Sequence, residues 1–102
     1  MLRRGSVAVV AAAESDLGQV APGTTPLDLM AQATKRALDE SGLKLSDIDA
    51  VFTAAAQMRM PTLALCEYLG LRPKYQDGTQ IGGASFMSHL THAMAAIEHG
   101  LC

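Results

Sequence analysis

Large aromatic rings are scarce in this chain. There is no tryptophan, and two tyrosines with two phenylalanines make up 4% of the 102 residues. Since 49% of the residues are apolar, Ala, Leu and Met must fill whatever core forms, and such a core packs helices against a sheet of small residues. Basic charge is just as sparse. The formal net charge is −2 and no Lys/Arg run exceeds Arg3-Arg4, so the electrostatic footprint of a nucleic-acid binder is missing. No apolar run is long enough to span a membrane: Val7–Ala13 falls well short of the roughly 20 residues required. Arg3-Arg4 followed by that run resembles a weak signal peptide. Glu14, Ser15 and Asp16 stop it, however, and no small-residue cleavage site follows, so secretion is not expected. The two cysteines, Cys66 and Cys102, lack CxxC spacing and fit reduced thiols in a cytoplasmic protein.

What is present reads as alternating strands and helices. Ser6–Ala13 is a continuous β-branched and small apolar stretch, the pattern of a strand covered on both faces in a parallel sheet. Residues 14–24 form a loop. Thr25-Pro26 then opens a helix, with Thr25 as N-cap, Pro26 at the first helical position and Asp28 in the first turn. Leu27, Met30, Ala31, Thr34, Ala37 and Leu38 keep its inward spacing, and Gly42 ends it as a left-handed cap. Ala50–Ala56 is a second expected buried strand, so the order is that of a βαβ crossover. Thr62 is expected to cap a short helix, Leu63–Leu69, closed by Gly70. A third strand is expected near Gln76–Ile81. The last helix runs from about Ala84 to His99. Phe86, Leu90, Ala93, Met94 and Ile97 lie on one side, and His89, His92, Glu98 and His99 point away. The chain then stops at Leu101-Cys102, leaving sheet edges unpaired, which reads as a fold cut short. The expected class is α/β: two or three mostly parallel strands with three helices and an incomplete sheet.

Candidate chemistry centres on Gly82-Gly83. Either the glycines only permit a tight strand-to-helix turn, or they clear bulk so that a ligand reaches the free amides and positive dipole end of the helix. The motif is not GxGxxG. His89 and His92 share a helical face, with His99 near the same arc, but no third ligand accompanies them and no metal is expected. Cys66 lacks an activating base and reads as a buried structural thiol. Ser85 is no nucleophile elbow, because Met87 stands where the second glycine of GxSxG belongs.

Taken together, "VAVVAAAESDLG" at 7–18, "PLDLMAQATKRALDESGLKLSDIDAVF" at 26–52, "LALCEYLGLRP" at 63–73 and "GGASFMSHLTHAMAAIEHGLC" at 82–102 resemble the N-terminal part of a thiolase-superfamily protein. The nearest subgroup is that of sterol-carrier-protein-type and lipid-transfer thiolase-like proteins, often labelled acetyl-CoA acetyltransferases. The resemblance implies a partial thiolase-like fold over residues 1–102. Its substrate would be a coenzyme A thioester, with no permanently bound cofactor. Counting back from Gly100, the family's nucleophilic Cys falls on Gly83, so a cysteine acyl-enzyme is not expected. "GGAS" resembles the aldolase branch that cleaves the acyl-CoA side chains of steroids. In that branch Gly82, Gly83, Ala84 and Ser85 would cradle substrate, and the catalytic groups would follow residue 102. The resemblance also implies a homodimer or an assembly with the remaining thiolase half, and a small partner with an OB-type domain. The chain alone would be catalytically silent. Two other readings stand beside it: an interaction module docking through apolar faces, and an anion- or nucleotide-binding domain at Gly82-Gly83.

Overall fold

Residues 2–102 are described by a computed structural model. Helix α1 spans Pro26–Ser41, a 3₁₀ turn Leu45–Asp47, strand β1 Ala50–Thr53, helix α2 Pro61–Leu69 and strand β2 Tyr75–Gly78. A second 3₁₀ turn, Gly82–Ala84, leads into helix α3, Ser85–Glu98. β1 and β2 pair in parallel, with Ala50 opposite Tyr75 and Thr53 opposite Gly78. The class is α/β with an incomplete sheet.

The helix ends follow from local chemistry. The Thr25 hydroxyl accepts the Asp28 N–H at 3.2 Å, and Asp28 Oδ2 accepts the Thr25 N–H at 2.8 Å, a complete capping box. Gly42 and Gly70 close α1 and α2 at φ 77° and 71°, a region that costs glycine little. At the start of α2 the expectation needs correction. The N-cap is Met60, at φ 45°, and Pro61 takes the first turn. Thr62 lies inside the helix, buried, where its hydroxyl donates to the Asp77 carbonyl at 2.8 Å and meets Thr53 Oγ1 at 2.6 Å.

Side chains alternate across a strand, and this sets the layers. Thr53 reaches α2, whereas Phe52 meets His89 of α3 with ring centroids 5.8 Å apart. So α2, with α1 packed on it, covers one face of the sheet and α3 covers the other.

Three more expectations are revised. Both paired strands end earlier than expected, at Thr53 and Gly78 rather than Ala56 and Ile81. The stretch 6–13 is not a strand: it joins no ladder, and Val9 and Val10 are 74% and 65% exposed. Side chains hold it at both ends instead. Before it, the Ser6 hydroxyl and the Arg3 N–H donate to Glu98 Oε1 at 2.5 and 2.6 Å. After it, Arg36 donates to the Glu14 carbonyl and to Asp16 Oδ1, at 2.9 and 2.7 Å. A gap of about 330 Å³ consequently remains beside β1, lined by Val10, Ala11, Leu38, Val51 and Leu65 among others, and no residue of α1 is fully buried.

The third revision concerns α3, which turns the opposite side inward. Ser85, His89 and Ala96 are buried, whereas Phe86 and Leu90 are 56% and 53% exposed. The sheet supplies the reason. Its α3 side presents Asp77 and Thr79, which take His92 Nδ1 at 2.8 Å and His89 Nε2 at 3.0 Å. A buried imidazole costs stability unless it is hydrogen-bonded; His89, 6% exposed, gains Thr79, and the half-buried His92 gains Asp77.

Candidate functional site

A cleft of about 440 Å³ opens where both strands end. The Ala54–Gln57 loop leaves β1 on one side of it, and Thr79 and Gln80 leave β2 on the other. Gly82, Ser85 and Phe86, at the start of α3, close it. The carboxyl ends of parallel strands are the general ligand position in open α/β sheets, because the connecting loops diverge there. None of these lining residues is charged, so the cleft offers amide, hydroxyl and backbone groups to a neutral polar ligand.

The turn between sheet and helix is built locally. Gly82 sits at φ 71°, a left-handed conformation that an L side chain would strain. The Ile81 N–H donates to Ser85 Oγ at 3.2 Å, which staples the turn across the start of the helix. Of the four residues proposed to cradle substrate, Gly82 and Ser85 line the cleft; Gly83 and Ala84 are exposed beside it. Ser85 forms its floor, wholly buried, with the hydroxyl already engaged. A Cβ added to Gly83 would meet nothing within 4 Å, so glycine is not sterically demanded at that position. The first amides of a helical turn lack intrahelical partners and carry its positive end, and those of Gly82–Ala84 lie at the rim.

Neither thiol joins the cleft. Cys66 is buried 4.0 Å from Gln76 Oε1, and burial pushes its thiol up from the usual 9.0. Cys102 is raised too, by burial first and then by the Asp49 carboxylate, with Lys74 acting against both. Both are protonated at neutral pH and poor nucleophiles. Among the described residues, no group of three or more His, Cys, Asp or Glu could hold a metal ion, and no helix is long and apolar enough to cross a membrane.

Sequence reasoning missed Thr79, Gln80 and the Ala54–Gln57 loop as lining residues. The signal that finds them is positional: each immediately follows a parallel strand. It also missed that His89 touches Thr79. The three-residue spacing of His89 and His92 does put them on one face, but nothing in it tells which way that face points.

Matched against protein-family models and against curated proteins, the chain finds no counterpart in either. The site is therefore defined by its geometry: an α/β protein with an uncharged cleft at the carboxyl ends of a parallel strand pair, walled by a glycine turn.

Proposed function

We propose that the chain is the N-terminal portion of a cytoplasmic thiolase-like protein, and that its cleft receives the acyl end of a coenzyme A thioester. The chemistry is carbon–carbon bond cleavage or formation next to the thioester, as the likeness to the aldolase branch implies. The chain alone is silent in that reaction and acts within a dimer or an assembly with the remaining thiolase half; the likeness adds a small OB-type partner. One observation supports this reading above the others. The cleft is uncharged, with Ala54–Ala56 and Phe86 in its lining and the Gly82 turn at its rim; this suits an acyl chain and its thioester carbonyl, which carry no charge. A nucleotide-binding reading would want a cation beside the phosphates, and the lining residues include none.

Two measurements test this. Acetyl-CoA at 100 times its dissociation constant should stabilise the chain by about 2.7 kcal/mol, and ATP or NAD should not. Second, Gly83→Cys places a thiol where open space awaits it, at the positive end of a helix that favours thiolate. Mass spectrometry should find the introduced thiol of this variant acylated by acetyl-CoA. An absent shift together with an unmodified thiol at that position would sink the proposal, as would turnover of acetoacetyl-CoA by the unaltered chain.

A second reading, a non-catalytic docking module, draws on the outward apolar side of α3. Phe86, Met87, Leu90 and Ile97 are all exposed there. A cooperative monomeric melt unaffected by any CoA species would favour it.

A further inference from the structure

We propose that Thr79 and His89 form a hydroxyl–imidazole pair that accepts an acyl group from a thioester held in the cleft. The choice of donor rests on the acyl-CoA reading above; the pair itself rests on geometry.

Thr79 lines the cleft and also a neighbouring depression of about 510 Å³, so the residue stands where two openings meet. Its Oγ1 lies 3.0 Å from His89 Nε2, within reach of direct proton transfer. His89 is buried at 6% exposure. Phe52 packs on its ring at 5.8 Å and Phe86 meets it edge-on at 6.0 Å, which holds the imidazole in place beside the hydroxyl. With its proton on Nδ1, the imidazole leaves Nε2 to accept from the threonine. The third requirement is a place for developing negative charge. A left-handed residue followed by a helical turn aims successive N–H groups to one side, and Gly82, at φ 71°, opens such a turn on the same cleft.

The step balances without an added oxidant or metal. The Thr79 hydroxyl proton passes to His89 Nε2 as Oγ1 attacks the thioester carbonyl carbon. The C–O bond forms and the C–S bond breaks. The departing thiolate takes the proton back from the imidazolium, leaving a free thiol and an acyl ester on Thr79. Water then restores the hydroxyl and releases the carboxylic acid. This is one acyl transfer with no carbon–carbon step, so it is compatible with a chain that does not turn over acetoacetyl-CoA.

The test uses p-nitrophenyl acetate and acetyl-CoA in separate incubations, followed by intact mass and peptide mapping. The expected result is a single acetyl group on Thr79 that survives neutral hydroxylamine, as an oxygen ester does and a thioester does not. His89→Gln should slow acetylation about 100-fold, Thr79→Ser should retain it, and Thr79→Val should reduce it to background, with circular dichroism checking that each variant folds. Mapping in the unaltered chain needs no variant. A Thr79 adduct from the p-nitrophenyl ester but not from acetyl-CoA, with no stabilisation by acetyl-CoA, would uphold the pair and remove the acyl-CoA reading. Stabilisation by acetyl-CoA with no Thr79 adduct from either donor would leave that reading standing and overturn the pair. Label found only on Cys66, Cys102 or lysines, or forming at an unchanged rate in folded His89→Gln, would also overturn it.

Discussion

Gly78 shows how one residue joins three elements. It ends β2 opposite Thr53, and a Cβ built on it would lie 3.1 Å from Thr62 Oγ1 and 3.3 Å from the Thr53 carbonyl oxygen. The first belongs to the clamp in which Thr62, from α2, donates to the Asp77 carbonyl and meets the Thr53 hydroxyl, and the second is backbone of the paired strand. Neither neighbour is the loose end of a long side chain, so a methyl group must push the helix away from the sheet. Gly78→Ala should therefore destabilise the chain by about 1–3 kcal/mol, the usual range for overpacking, as a denaturant melt would report. A change within experimental error would mean that the clamp yields freely. Thr79, the next residue, carries a different obligation: its hydroxyl faces both the cleft and an imidazole. A residue reading of 76–80 sees only polar character and cannot separate these roles.

Among the elements, α1 illustrates how a cap becomes a tertiary contact. Asp28 completes the Thr25 capping box and also accepts the Tyr68 hydroxyl of α2. That hydrogen bond, followed by those from Thr25, holds the Asp28 carboxyl below its usual 3.8, and the same bond with its charge raises the Tyr68 hydroxyl above 10.0. The folded carboxyl is the stronger acid, so its contribution is fully present above the unfolded value. It is lost as pH falls from about 3.8 through the lower folded value. For Tyr68 the sign reverses: the contribution is present below 10.0 and disappears as pH rises through the folded value. Melting temperatures across pH should thus fall at both extremes, and Asp28→Asn should flatten the acid side attributable to this pair. An acid slope identical in the two proteins would show that the α1–α2 contact is not titrating. The Lys35–Asp39 pair, exposed at 3.1 Å, contributes little by comparison.

For the whole molecule, the arrangement of layers decides what is inside. Only Leu65, Cys66 and Ala96 are fully buried hydrophobic residues among those described, while α3 turns Phe86, Leu90 and Ile97 outward. The orientation of α3 can be tested by a pair of substitutions with opposite expectations. Ala96→Leu should cost about 1–3 kcal/mol because Ala96 is 2% exposed against the sheet side. Leu90→Gln should change stability by no more than about 0.5 kcal/mol because its side chain already meets solvent. The reverse ranking would put the apolar side inward after all. The same exposed side would be covered in the larger assembly proposed above, and the uncharged cleft lies at its edge, against Phe86.

What the sequence determined by itself is mostly what closes within a few residues. The Thr25–Asp28 box, Pro26 at the start of α1, Gly42 and Gly70 at helix ends and the Gly82 turn are all legible, because donor, acceptor and special backbone geometry lie within about one helical turn of each other. Of the candidate site, Gly82 and Ser85 were legible for the same reason. The tertiary structure alone decided the rest. Val7–Ala13 has the composition of a strand, yet a strand exists only when another backbone takes its hydrogen bonds, and here the ends of that stretch are held by Arg36 and Glu98 instead. The inward side of α3 was likewise undecidable from its own spacing. Apolar periodicity favours burying Phe86 and Leu90, but Asp77 and Thr79, 15 and 10 residues from their histidines, satisfy His92 and His89 and so turn that side to the sheet. Partners so far apart in sequence meet only once the layers have assembled.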